Sequence, residues 1–585
     1  MGQNQDAGAT RPPNVILVIT DDQGYGDIAY HGNKIIKTPN LDRFFSQSLR
    51  ATNFHVSPTC APTRGALMTG RYTNRVGTWH TIAGRSLLFE DETLLPQVFA
   101  QNGYATGMFG KWHLGDNYPF RPEDRGFQEV VRHGGGGVKQ GPDYWGNNYF
   151  DDTYWHNGTP QKYEGYVTDV FFEESLKFIE NNRDRPFFLY LATNAPHSPY
   201  HVPEKYYRLY EDEENLLDGQ KRFYGMITNI DDNFGRLLEQ LEKLEIADHT
   251  ILIFMTDNGT AEGYVERENA VYGFNAGMRG RKGSEYDGGH RVPFAIRWPA
   301  GLPGDRNLDQ LLAHIDVLPT LVDLAGLRFT ARKPLDGRSF APLLHAPTAN
   351  WPARTLITDS QRELSLVKWK KSAVLDDNWR LVNGKELYNI RKDPGQQTDV
   401  AAAHPEVVTR LRESYNRWWT SLEEQQVSQR YAYIKAGSPY ENPVRLSAHD
   451  MQIYPISNSW HQHGALTGAT RQGVMKIEIV ADGTYRISLR RYPRESGLSF
   501  NQAVKAEEKS LEINTPMPEA AQLNLSEATL YLADIAESKP ISGDDAEISF
   551  EGYLSAGKYD MMAFLTDNQG RVYPSYYTYI ERLED

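Results

Sequence analysis

Among 585 residues there is a single cysteine, Cys60. That scarcity excludes an internal disulfide and any zinc or iron–sulfur site built from cysteines, and leaves Cys60 either an inert small core residue or a chemically special one. No apolar run is long enough to cross a bilayer, so no membrane span is expected. The opening MGQNQDAGATRPPN has neither the basic nor the apolar region of a secretory leader, and Asp6 stands where an N-myristoylation signal needs Ser or Thr. Basic charge is short as well: 62 Lys and Arg against 76 Asp and Glu give a formal net charge of −14. Whole-molecule attraction to nucleic acid or an anionic membrane is therefore disfavoured, and no basic stripe relieves it. An anionic substrate has to be held by local positive charge.

What is present is a hydrophobic content of 39%, ample for a large core, in a chain too long for one ordinary domain. Short apolar runs recur at Val15–Ile19, Phe187–Leu191, Ile251–Met255 and Val292–Ile296. Continuous rather than alternating apolarity marks strands buried on both faces. Helical patterns follow Pro39, Leu95, Tyr166 and Lys221, and another, LLAHIDVLPTLVDLAG, is interrupted by Pro319 and stops at Gly326. Strands alternating with helices predict an α/β fold, a large mostly parallel sheet flanked by helices, over residues 14–350. The segment NWRLVNGKELYNIRKDPGQ predicts a hairpin and PEVVTRLRESYNRWWTSLEEQQ a helix, giving a smaller α+β subdomain over 351–440. Residues 441–585 alternate polar and apolar around turns at Ala481–Gly483 and Asp567–Gly570, which reads as antiparallel hairpins of a sandwich-like all-β region.

The ends of three predicted strands carry chemistry, as strand carboxyl ends in open α/β sheets commonly do. The first runs into Asp21-Asp22, the second into Asn194-Ala195-Pro196-His197 and the third into Asp257-Asn258. Each acidic pair alone is adequately explained by turn formation. Together they offer three carboxylates and one amide oxygen, hard ligands suited to calcium or magnesium rather than to zinc, and not in EF-hand spacing. Arg64, Lys111, His113, His197 and Lys282 stand in compact Gly/Pro-rich contexts, CAPTRG, FGKWHLG, NAPHSP and GRKGSEYDGG. Three carboxylates and a divalent ion sum to −1, and Arg64, Lys111 and Lys282 bring the sum to +2. Such a cluster suits a strongly delocalised anion such as a sulfate ester.

The stretch CAPTRGALMTGR resembles the signature of type I sulfatases of the alkaline phosphatase superfamily: Cys, a small residue, Pro, a small or hydroxyl residue, Arg, then an apolar-Thr-Gly close. TDDQGYGD, GKWHLG, APHSP, TDNGT and GRKGSEYDGGHRVP follow in that family's order, and LDGRSFAPLL with ELYNIRKDPGQQTDVA resembles its smaller second part. The likeness covers about residues 14–425 and is weak beyond, although GTYRISLRRYPRE is similar to an extension of some bacterial members. It implies the alkaline-phosphatase-like sulfatase fold and the oxidation of Cys60 to Cα-formylglycine by a formylglycine-generating or anaerobic sulfatase-maturating enzyme that reads Pro62 and Arg64. The hydrated aldehyde attacks sulfur with one hydroxyl and expels sulfate with the other. Position by position, the resemblance implies that Asp21, Asp22, Asp257 and Asn258 hold calcium. Arg64 and Lys111 stabilise the diol, His113 accepts the proton on collapse, and His197 and Lys282 contact the sulfate, with His197 the better donor to the leaving oxygen.

Specificity is expected from loops outside this core. HGGGGVKQGPDYWGNNYFDDTYWHN, residues 133–157, sets Tyr144, Trp145, Tyr149, Tyr154 and Trp155 beside a glycine run, suited to stacking on a sugar or to forming a packed aromatic cluster. Trp79, His80 and Arg85 are candidates to line a sugar pocket. Trp460-His461-Gln462-His463 could reach the cleft but is read first as polar surface. The expected substrate is a sulfated carbohydrate. Two rivals are a phosphonate or phosphate ester hydrolase of the same superfamily and a non-catalytic sulfated-glycan-binding protein whose cysteine stays unmodified. Sulfatases of this type are commonly exported, which implies a periplasmic or secreted native protein.

Overall fold

The computed structural model describes residues 11–583 except 269, 347, 454, 456 and 457. Met1, Gly2 and Asp6, on which the leader and myristoylation readings turn, lie outside the described residues. The centre is a ten-stranded sheet in which Thr250–Thr256, Asn14–Thr20, Phe187–Ala192 and Ala105–Gly110 lie side by side, all parallel. Every residue of these four strands is buried. Val15, Leu17 and Ile19 join one core with Phe188, Tyr190, Ile251 and Ile253. Ile16 and Val18 join another with Leu189, Leu191, Leu252 and Phe254. Side chains two apart share a face, so a strand covered on both faces must be apolar at every position, which is why the runs are unbroken. At roughly 1.5–3 kcal/mol for each fully buried large aliphatic or aromatic side chain, these strands fix the frame.

Helices Val167–Asn182 and Asp218–Lys243 contribute Phe171, Ile179, Ile230 and Phe234 to the second core. The first core receives Leu67 from Cys60–Thr69, Leu95 from Leu95–Gln101 and Leu318 from Val317–Leu324. Two expectations change. The fourth apolar run, as Phe294–Arg297, pairs antiparallel with Thr250–Thr256. Pro319 does not interrupt a helix; it falls in the first turn of Val317–Leu324, where its missing N–H costs nothing. Strand Ala105–Gly110 gave little signal because two of its six residues are glycine; a side chain at Gly110 would stand 1.8 Å from the Ala192 carbonyl oxygen.

The four antiparallel strands Leu356–Asp359, Ser372–Leu375, Trp379–Val382 and Glu386–Asn389 pack against helix Pro405–Glu424, and the last two form the expected hairpin. Beyond them, two antiparallel-rich sheets share one core containing Ile477, Leu530 and Leu565 from one and Leu446, Ile487 and Ile580 from the other. Met475–Ile479 and Gly483–Arg490 are not a hairpin: the first pairs with Gly557–Asp567, the second with Ile548–Leu554 and Tyr577–Arg582 in the other sheet. Alternation reveals which face is buried and says nothing about the partner. The later turn does join a pair, Gly557–Asp567 with Val572–Pro574. The core of this region also takes in Leu87, Phe89 and Phe120, so it is fused to the α/β part rather than tethered. No described helix is long and apolar enough to cross a membrane.

Candidate active site

Cys60 is the first residue of helix Cys60–Thr69, entered through the extended residue Thr59. It is buried, and its Sγ lies within 4.8 Å of a carboxylate oxygen of each of Asp21, Asp22 and Asp257 and of an imidazole nitrogen of His197. Those partners come from the ends of the three central strands that the sequence singled out. Burial pushes the Cys60 thiol up to about 11, against the pull of Lys111 and Lys282. The side chain therefore stays a neutral thiol near neutral pH, a poor nucleophile.

Around it the charges interlock. Lys111 Nζ donates to Asp21 Oδ2 at 2.6 Å and Lys282 Nζ to Asp22 Oδ2 at 2.7 Å. Arg64 donates to Asp257 Oδ2 through Nε at 3.1 Å and Nη2 at 2.9 Å, and through Nη1 to the Lys111 carbonyl at 2.9 Å. Burial alone would raise the Asp22 carboxyl, but Lys282, His197 and Lys111 outweigh it and hold that group well below the usual range. Burial and then Asp21 push Asp257 up to about 6, Arg64 and Lys111 opposing. Asp22 occupies the left-handed region at φ 65° and His113 at φ 62°, strain of the kind that clusters at functional sites.

Two acceptors in this cluster, Asp21 Oδ1 and Asn258 Oδ1, are buried with no hydrogen-bond partner among the described residues. A buried oxygen left so costs about 1–3 kcal/mol. Together with Asp22 and Asp257 they form an oxygen donor set of the kind hard divalent cations take, so the residues present fit such an ion.

The two histidines differ in tautomer. His113 Nε2 lies 2.7 Å from the Thr81 carbonyl and must carry the hydrogen there, which leaves Nδ1 as a buried lone pair without a partner among the described residues. His197 has Nδ1 at 2.7 Å from the Ser198 carbonyl, so its neutral Nε2, 3.8 Å from Asp22 Oδ2, is the acceptor. Burial, reinforced by Lys111 at His113 and by Lys282 at His197, lowers both, His197 to about 3.

The substrate-loop residues are placed differently from expectation. Trp79 and Arg85 are tied to backbone carbonyls, and His80 to backbone through one ring nitrogen only. Trp79 is buried with Nε1 donating to the Glu363 carbonyl at 3.0 Å, and His80 Nδ1 accepts from the Thr81 amide at 2.7 Å. Arg85, also buried, donates to the carbonyls of Leu364, Arg430 and Ser428 at 2.6–3.1 Å, as a guanidinium fork does when it ties loops together. Trp145 packs on Tyr492 and Tyr577 of the β region, and Tyr144 meets Trp155 edge-on. Packing, not an open stacking platform, is the fate of this aromatic cluster. The motif Trp460–His463 is no free polar surface: Gly141 N–H donates to the Trp460 carbonyl and Gln462 N–H to the Lys139 carbonyl, both at 2.9 Å. Sequence reasoning missed Tyr149 as a support, whose hydroxyl donates to the His197 carbonyl at 2.6 Å, and Asn194, whose buried amide has no partner among the described residues. Tyr149 was only one aromatic among six in residues 133–157, and nothing local set it apart.

A parallel sheet whose strand ends gather three carboxylates, an amide oxygen and three cations around one side chain is the architecture of an alkaline-phosphatase-like hydrolase. Comparison with known proteins narrows this. The sulfatase family profile matches residues 13–327, and that of the N-sulphoglucosamine sulphohydrolase C-terminal region matches 281–420. The chain is 32% identical over 363 residues to human N-acetylgalactosamine-6-sulfatase, covering 58% of this chain and 67% of that one, and 29% identical to human arylsulfatase A, covering 69% and 87%. Among solved structures, that of Ps i-CgsB superposes with a TM-score of 0.61 at 28% identity, covering 70% of this chain and 93% of the other. The chain belongs to the sulfatase family and is a sulfuric ester hydrolase.

Proposed function

We propose that this enzyme removes sulfate from a sulfated oligo- or polysaccharide, using a formylglycine made from Cys60 and a calcium ion held by Asp21, Asp22, Asp257 and Asn258. The observation that carries the reading is the setting of Cys60: a thiol held protonated by burial, ringed by carboxylates, an imidazole and buried cations, with two acceptor oxygens left open. A protonated thiol has little to offer a sulfate ester. Once modified, the position supplies a hydroxyl that attacks sulfur and a second that releases sulfate. The cation supplies Lewis-acid charge at the ester.

The chain's own groups divide the remaining work. Arg64 and Lys111, fixed by Asp257 and Asp21, hold positive charge beside residue 60 where negative charge develops. Lys282 is kept protonated by Asp22 although burial opposes its charge, and serves as the fixed cation for the sulfate oxygens. His113, with its hydrogen committed to the Thr81 carbonyl, offers Nδ1 to accept a proton from residue 60. His197, carrying a hydrogen on each nitrogen once protonated beside Asp22, gives one to the leaving oxygen.

The carbohydrate reading is supported by the relatives: N-acetylgalactosamine-6-sulfatase by name, and the Ps i-CgsB structure, also solved with k-i-k-neocarrahexaose. A maturating enzyme acting on Cys60 and export to the periplasm or medium belong to the same proposal. The deciding experiment is the mass of the tryptic peptide Ala51–Arg64 from the native host, together with sulfate release. A loss of about 18 Da relative to cysteine is expected with turnover of an aryl sulfate. Unmodified cysteine with retained glycan affinity would favour a binding protein, and faster turnover of aryl phosphate or phosphonate than of sulfate would favour the phosphoester reading.

A further inference from the structure

The β region lies beyond both matched family profiles, which end at residues 327 and 420, yet it enters the active-site wall. Its turn Ser447–Asp450 carries His449, 3% exposed, with its ring centroid 6.2 Å from that of His113. His449 Nε2, His113 Nδ1 and His80 Nε2 are all buried without a hydrogen-bond partner among the described residues. Native buried polar atoms are nearly always paired, so the unpaired nitrogens on the adjoining His113 and His449 rings mark a place where something polar is to be received. They do not make a metal triad: the described His, Cys, Asp and Glu groups whose ligand atoms lie within 4.8 Å of one another are others. Burial holds His449 down to about 4, with Asp116 opposing, so near neutral pH its ring is uncharged and has one donor and one acceptor nitrogen. That is the equipment for a hydroxyl rather than for a free anion.

The same region fixes the opposite wall. The glycine run packs directly on both catalytic-site imidazoles: a side chain at Gly136 would meet His113 at 2.1 Å, and one at Gly137 would meet His197 at 3.2 Å. Gln462 donates from its side chain to the carbonyls of Gln140, Asp143 and Tyr144 at 3.2–3.3 Å, and Lys139 Nζ pairs with Glu507 at 2.7 Å. The loop touching His113 and His197 is thus clamped from residues 460–507.

We propose that His449 is a sugar-binding residue of this site, supplied by the C-terminal β region, which receives a hydroxyl of the sulfated ring beside His113 while Gln462 positions the facing glycine run. The inference rests on the carbohydrate reading above. The test uses the full, matured chain. His449→Ala and His449→Gln are compared with the parent on 4-nitrophenyl sulfate and on N-acetylgalactosamine 6-sulfate, glucosamine N,6-disulfate and a ι-carrageenan hexasaccharide. On each sugar that the parent desulfates, the Ala variant is expected to raise KM about tenfold or more beyond any rise for the aryl sulfate, with kcat much less changed. The Gln variant, which can still bond a hydroxyl, is expected to recover part of the loss and guards against a misfolded Ala variant. Equal effects on aryl and sugar substrates, or none, would overturn the assignment. A parent that turns over aryl sulfate and none of the sugars would overturn it together with the carbohydrate reading, whereas a matured parent inert on everything would instead remove the catalytic proposal.

Discussion

The close seat of Gly136 on His113 gives the sharpest test of the site geometry. In Gly136→Ala the new methyl would stand 2.1 Å from His113 Cε1 and 2.3 Å from Nε2. Carbon atoms rest at about 3.5–4.0 Å, so ring and loop must part by about 1.4 Å. Neither side yields freely. The ring is buried with Nε2 tied to the Thr81 carbonyl, and the loop is tied by the Gly136 amide to Gln140 Oε1 at 2.8 Å and onward to Gln462. Overpacking of this kind costs about 1–3 kcal/mol in stability, a fall of a few degrees in thermal midpoint for a protein of this size. Displacing a proton-handling group by about 1 Å costs up to about a hundredfold in rate. Aryl sulfate turnover is therefore expected to fall roughly 30- to 100-fold, with conversion of Cys60 verified by mass. Gly557→Ala, whose methyl meets nothing closer than 3.4 Å, is the control for the added methyl alone. Turnover of Gly136→Ala within about threefold of the parent would show that His113 need not sit where the structure puts it.

Other substitutions separate the roles. Cys60→Ser should abolish turnover, a loss of at least about a thousandfold, while equilibrium binding of a sulfated substrate persists; a near-parental rate would end the formylglycine mechanism. Asp257→Asn keeps an acceptor for Arg64 but removes a charged donor from the cation site, so elemental analysis should show a divalent ion content well below the parent's. Full occupancy would show that the site does not need the charge of Asp257. Arg85→Ala strips three carbonyls of their donor and should cost about 2–4 kcal/mol in denaturant unfolding while KM stays within about twofold. A selective rise in KM at undiminished stability would restore Arg85 to the substrate pocket.

What the sequence disclosed and what it withheld divide along a physical line. Asp21, Asp257 and the strands that present them were legible because a strand buried on both faces leaves an uninterrupted apolar signal ending abruptly in polar residues. Cys60 and Arg64 were legible because they share a tight local motif that holds the chain's single cysteine. Trp79 and Arg85 show that aromatic and cationic side chains look alike in sequence whether they face a ligand or a backbone carbonyl: both donate to backbone carbonyls here, while His80 accepts a backbone N–H at Nδ1 and leaves Nε2 open. The strand Met475–Ile479 and its neighbour Gly483–Arg490 misled because a two-residue-period pattern is the same for a hairpin and for a crossing between sheets. His449 left no local signal, since its meaning comes from a docking across more than 300 residues of chain.

The tautomers of His113 and His197 explain why the two imidazoles would not be interchangeable in the proposed mechanism. Each is set by a single backbone carbonyl, Thr81 at Nε2 of the first and Ser198 at Nδ1 of the second. The first presents a buried Nδ1 without a hydrogen-bond partner among the described residues, flanked by Lys111, whose charge disfavours a resting proton. Such a group takes a proton only while the reaction pushes one at it and returns it promptly, which suits the collapse step. The second faces Asp22, a carboxylate held ionised by Lys282, and that negative charge, with the hydrogen bond to the Ser198 carbonyl, favours a proton on His197 against burial and the two lysines. A cation drawing charge from Asp22 and a sulfate ester adding its own act on that balance in opposite directions. If His197 is the acid of the proposed mechanism, its protonation is therefore set by the balance between bound cation and bound ester rather than by bulk pH alone.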